Sequence, residues 1–180
     1  MEFYLGDSIL RRMLATVCKR KVRWMHGKRL VDLCIGGQTI TQLRRRIERS
    51  RNAASKWFVP RNVPLVILIG TNDISRGVKA SVAIRNLKGL LRTLRKWTLQ
   101  YRALLCTVPP MIRTGQSVQI ELSQYNAAIR DICSNRRDVF KLIDLYALFQ
   151  CENVERIFER DGIHPNAAGL KKIYRAIRST

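Results

Sequence analysis

Leu65-Val66-Ile67-Leu68-Ile69, running directly into Gly70-Thr71-Asn72-Asp73, decides how the rest of this chain is read. Five apolar residues with no polar alternation predict a strand buried on both faces, as the central strand of a parallel sheet has to be. Working outward, Glu2–Leu5, Leu30–Leu33, Ala103–Thr107 and Val139–Ile143 read as four further strands. Leu10–Arg20, Ile40–Arg51, Ser81–Tyr101, Ile120–Ser134 and Ala167–Arg178 carry the longer apolar period of helices. Strand and helix alternate along the chain, which predicts an α/β fold: a three-layer α/β/α sandwich around a five-stranded parallel sheet. A length of 180 residues fits one domain spanning 1–180, and a hydrophobic fraction of 46% supplies a core for it.

In such a sheet the ligand site lies beyond the carboxyl ends of the strands. The informative polar residues are there. Strand one ends in Gly6-Asp7-Ser8, strand two leads into Gly36-Gly37, strand three into Gly70-Thr71-Asn72-Asp73, and Asp161-Gly162-Ile163-His164-Pro165 precedes the last helix. A serine hydrolase needs a nucleophile, a base, a group that orients the base, and donors for the oxyanion. Ser8 stands at a strand-to-helix turn, where the helix dipole favours a developing alkoxide. His164 and Asp161 are three apart in a tight loop, close enough for the carboxylate to fix the imidazole tautomer. Gly37 lets a backbone N–H approach a substrate oxygen, and Asn72 offers an amide donor. Each residue also has a plainer use: Ser8 as a helix cap, Asn72 and Asp73 as turn formers, His164 as a surface histidine. His26 has no partner nearby and reads as a surface residue.

The four blocks together resemble the SGNH (GDSL-like) hydrolase superfamily, in order and spacing, over essentially the whole chain. The resemblance implies Ser8 as nucleophile, Gly37 and Asn72 as oxyanion donors, His164 as base and Asp161 as its partner. It implies no cofactor and no metal.

The charge points elsewhere. With 34 Lys+Arg against 13 Asp+Glu, the net charge is +21, far beyond what a small-ester hydrolase requires. Self-repulsion of that size predicts a polyanionic partner. The basic residues fall in runs: Arg11, Arg12, Lys19, Arg20, Lys21 and Arg23; Arg44, Arg45, Arg46, Arg49 and Arg51; Arg85, Lys88, Arg92 and Arg95; Lys171, Lys172, Arg175 and Arg178. Of these, Arg11, Arg12, Arg44, Arg45, Arg49, Arg85, Lys88, Arg92, Arg95, Lys171 and Arg175 are the candidate RNA contacts, through phosphates. Trp24, Trp57 and Tyr101 lie among basic residues; core packing is the first expectation for them and base stacking the second.

Within the superfamily the chain is similar to the OSK domains of insect Oskar proteins. That resemblance implies an RNA-binding scaffold of cytoplasmic ribonucleoprotein granules, with granule proteins as further partners. OSK domains are held to have lost their catalytic residues, whereas Ser8, Gly37, Asn72 and His164 all stand here. The esterase domains of LINE-type retroelements are the competing resemblance, through Gly70–Ile74 and Arg160–Asn166; they imply an active acyl hydrolase. No apolar run reaches the roughly 20 residues that span a bilayer, and Met1–Leu5 leads straight into polar residues, unlike a signal peptide. Five cysteines with no C-x-x-C pair predict reduced thiols rather than disulfides or a zinc site.

Overall fold

A computed structural model describes residues 3–19, 23–26, 29–32, 34–52, 65–97, 103–150 and 153–180. Four parallel strands make the main sheet, in the order β1 (Phe3–Gly6), β4 (Leu65–Leu68), β5 (Ala103–Cys106), β6 (Phe140–Ile143). Leu5 stands opposite Ile67, and Ile67 opposite Leu105. Every residue of β4 is buried. Successive side chains of a strand point to opposite faces, so β4 is covered above and below, as its unbroken apolar run predicts.

The helices supply that cover in two groups. α1 (Ser8–Thr16) packs with α7 (Ala167–Arg178), while α4 (Ala80–Trp97) packs with both α2 (Ile40–Asn52) and α5 (Gln116–Asn135). The result is the α/β/α sandwich expected. α4 illustrates why these segments are helical. Ala83, Leu87, Leu90, Leu91 and Leu94 form one buried stripe, while Arg85, Lys88, Arg92 and Arg95 are exposed on the other side. Two short helices, α3 (Thr71–Ser75) and α6 (Leu145–Leu148), follow β4 and β6.

Among the described residues the main sheet has four strands where five were expected. Residues Arg29–Asp32 (β3), most of the second predicted strand, pair antiparallel with Arg23–His26 (β2) as a separate two-stranded ribbon. Among the described residues that follow, Cys34 meets the main sheet through a parallel bridge to Gly6. A ribbon between near neighbours closes a short loop, which costs less entropy than a long-range parallel pairing. Leu33, Trp57 and Tyr101 lie outside the described residues, as do Arg20 and Lys21. α1 also stops earlier than predicted, at Thr16, with Val17 as its cap. Cys106 and Cys133 are free thiols. Among the described residues no helix is long and apolar enough to cross a membrane.

Candidate active site

The site begins with the turn from β1 into α1. Asp7, buried completely, caps α1 by accepting a hydrogen bond from the Ile9 N–H at 3.0 Å. Ser8 is therefore not the cap but the first residue of the helix, where no preceding turn accepts its own N–H. Burial pushes the Asp7 carboxyl up to about 6, against the opposing pull of its hydrogen bond from Ile9.

Ser8 Oγ lies 2.8 Å from His164 Nε2, across 156 residues of sequence. On the other side of the imidazole, Nδ1 is 2.6 Å from Asp161 Oδ2. The second oxygen of Asp161 accepts the backbone N–H groups of Ile163 and His164, each at 2.9 Å. Partial burial opposes ionisation of Asp161, but the His164 and Ile163 N–H groups and the imidazole outweigh it and hold the carboxyl down at about 2. Asp161 is thus ionised and fixed in place. A hydroxyl bonded to an imidazole that a carboxylate orients is the arrangement that general-base activation of serine requires.

The loop carrying this pair is itself fastened. The Glu159 N–H donates to the His164 carbonyl at 2.7 Å, the Ile112 N–H to the Gly162 carbonyl at 2.8 Å, and Asn166 caps α7 through Ala168 and Gly169.

Gly36 and Gly37 form a turn closed by the Gln38 N–H on the Ile35 carbonyl at 3.3 Å. Gly37 sits at φ +74°, a conformation that favours glycine. Asn72 Nδ2 donates to the Gln38 carbonyl at 3.1 Å, and Asp73 Oδ2 accepts the Ile40 N–H at 3.0 Å. Those two bonds fasten α3, which follows β4, to the start of α2 and the turn before it. Gly70, at φ +117°, permits the approach of Tyr125, whose ring would lie 2.6 Å from a Cβ there. The Tyr125 hydroxyl donates to the Ile69 carbonyl at 2.9 Å.

Ser8, Asp161 and His164 are thus joined directly, and the loops of Gly37 and Asn72 are tied to each other. Sequence reasoning missed Asp73 and Tyr125 as supports of the turns around the site. A carboxylate three residues after the glycine that follows the apolar run was the available signal for Asp73. A groove of about 590 Å³ lies between α5 and β6 and shares no residue with this site.

A model of the GDSL-like lipase/acylhydrolase family matches residues 4–172. The chain belongs to that family. No protein of curated function matches it. Among solved structures it is similar to the OSK domain of Drosophila Oskar, at 19% identity and TM-score 0.76, covering 99% of this chain and 88% of that one. A G-D-S-L family lipolytic protein from Veillonella parvula matches at 15% identity and TM-score 0.76, over 99% and 96% of the two chains. A carbohydrate esterase family 3 protein from Talaromyces cellulolyticus matches at 19% identity and TM-score 0.67, over 98% and 94%. At such identities these likenesses speak for the fold.

The candidate RNA contacts occupy two faces. Arg11 and Arg12 on α1 and Lys171 and Arg175 on α7 are exposed on one helix pair; Arg45 and Arg49 on α2 and Arg85, Lys88, Arg92 and Arg95 on α4 are exposed on the other group. Arg44 is exposed too, but its guanidinium pairs with Glu48 at 2.8 Å and lies against Gly89 of α4. It is more committed to the α2–α4 contact than its neighbours are.

Proposed function

We propose that this GDSL-family chain is an active serine ester hydrolase, with residues 1–180 as one domain. The observation that carries the reading is the unbroken relay Ser8–His164–Asp161, at 2.8 Å and 2.6 Å. Ser8 Oγ attacks the ester carbonyl while its proton passes to His164 Nε2. The oxyanion that forms is held by the N–H groups of Ser8 and Gly37 and by Asn72 Nδ2. Collapse breaks the bond to the leaving alcohol, which takes the proton from His164. Water, deprotonated by the same imidazole, then releases the acid and restores Ser8. Asp161 stays ionised throughout and stabilises the imidazolium. No cofactor or metal takes part. Reaction of Ser8 with a fluorophosphonate probe tests the reading, with Ser8→Ala as the unreactive control.

A second role is supported by the basic faces: RNA binding, and through it the scaffolding of a cytoplasmic ribonucleoprotein granule. Along α4, Lys88 and Arg92 repel at i,i+4, as do Arg92 and Lys96, and phosphates lying across the helix relieve that repulsion. Retardation of RNA by the purified protein at physiological salt tests this role. The relay Ser8–His164–Asp161 includes none of the candidate RNA contacts, so hydrolysis and RNA binding are compatible.

A further inference from the structure

We infer that the Ser8 site takes esters bearing an anionic group, carboxylate or phosphate, near the carbonyl, and that Arg11 and Arg76 select them. The inference deepens the hydrolase reading and rests on it. Arg11 lies three residues after Ser8 on α1, and Arg76 follows α3, four residues after Asn72. They come from different elements yet converge on one turn. Arg11 Nη1 is 3.4 Å from the point a Cβ on Gly36 would occupy, and Arg76 Nη2 is 3.4 Å from the same point on Gly37. Two guanidinium groups thus flank the two glycines of the oxyanion turn, with no side chain standing between them and it.

Both side chains are exposed, and neither makes a hydrogen bond or ion pair with a described residue. Asp73 lies within the electrostatic reach of Arg76, but it is buried and its carboxylate accepts the Ile40 N–H. Neither arginine, then, is engaged in holding the fold. A neutral acyl group would engage neither of the two charges beside the Gly36-Gly37 turn. A carboxylate or phosphate is what two guanidinium forks recognise, by paired hydrogen bonds of fixed geometry.

The test compares 4-nitrophenyl acetate, 4-nitrophenyl hemisuccinate and acetyl phosphate as substrates. The first is neutral, the second carries its charge on the acyl part, and the third carries it on the leaving part. One of the charged compounds is expected to exceed the neutral one in kcat/KM by about tenfold or more, the scale of a charged hydrogen bond, and mainly through KM. Which one it is names the side of the carbonyl that the arginines read. In the double variant Arg11→Gln, Arg76→Gln that ratio should fall to near one. Equal rates on all three compounds, or a preference that survives the double substitution, overturns the proposal.

Binding to the Ser8→Ala variant separates this failure from failure of the hydrolase reading. Titration with succinate and with inorganic phosphate, followed through the His164 ring resonances, should show a saturable shift for at least one anion. The shift should disappear when Arg11 and Arg76 are also replaced. If no shift occurs, the anion site is wrong even where esters are hydrolysed; if the shift occurs without hydrolysis, only the hydrolase reading falls.

Discussion

At the scale of single residues, the two carboxylates flanking the site answer to pH in opposite directions. Asp161 is held down at about 2, so its ionised form favours the folded state. That contribution is full above the ordinary carboxylate range and is lost as pH falls through about 2. Asp161→Asn should leave the protein folded at neutral pH but lower kcat steeply, by up to about 10⁴-fold on the precedent of serine-protease triads. Initial-rate measurements on any substrate the parent turns over check it. Asp7 runs the other way. Its carboxyl rises from an ordinary 3.8 to about 6, so between those values the folded state holds more protons than the unfolded one. Stability from this residue is present at low pH and is lost as pH rises from about 4 to about 6. Asp7→Asn keeps a capping side chain but cannot ionise. Chemical denaturation of both proteins should show the variant gaining about 2–3 kcal/mol on the parent between pH 4 and pH 7. A constant difference would mean that Asp7 is not held neutral. The candidate catalytic set was legible residue by residue because short glycine-bearing turns carry each member. The cap was not: Asp7 and Ser8 are both good caps, and only the fold shows which of them accepts the Ile9 N–H.

At the scale of elements, α4 separates packing from recognition. Leu90 is fully buried, and Leu90→Ala should cost about 2–5 kcal/mol through lost burial and the cavity left behind. Arg92 and Arg95 are exposed on the opposite side, so Arg92→Glu with Arg95→Glu should change stability by no more than about 0.5 kcal/mol per site. Thermal melts of the two variants check both statements, and the charge-reversed one should then bind RNA more weakly if α4 is a contact face. The buried strands and amphipathic helices were readable because tertiary burial and sequence period agree there. The β2–β3 ribbon was not. Arg23-Trp24-Met25-His26 has neither an apolar run nor a clean alternation, and its pairing with Arg29–Asp32 diverts residues that local composition assigns to the main sheet. The early end of α1 was hidden for a related reason. Val17 and Cys18 pack against the core as helical residues would, although the helix has already stopped.

At the scale of the whole molecule, the net charge is +21, and the basic runs of the helices lie partly on the α1–α7 pair and partly on the α2–α4 side of the sandwich. The sequence showed four basic runs; packing of the helices gathers them into two faces. If RNA lies along either face, the logarithm of its affinity should fall linearly with the logarithm of salt, by about 0.7 per neutralised phosphate on a single strand. Raising salt from about 50 to about 200 mM should therefore cost at least about tenfold when several phosphates are held. A flat response would remove the electrostatic account of the charge. The catalytic account stands apart from it, because the relay Ser8–His164–Asp161 includes none of the candidate RNA contacts. Its most direct test is the intact mass of the protein after exposure to a fluorophosphonate. The account predicts one adduct, mapped to Ser8, absent from Ser8→Ala and strongly slowed in His164→Ala. Parent protein that is folded yet gains no adduct at Ser8 would contradict it.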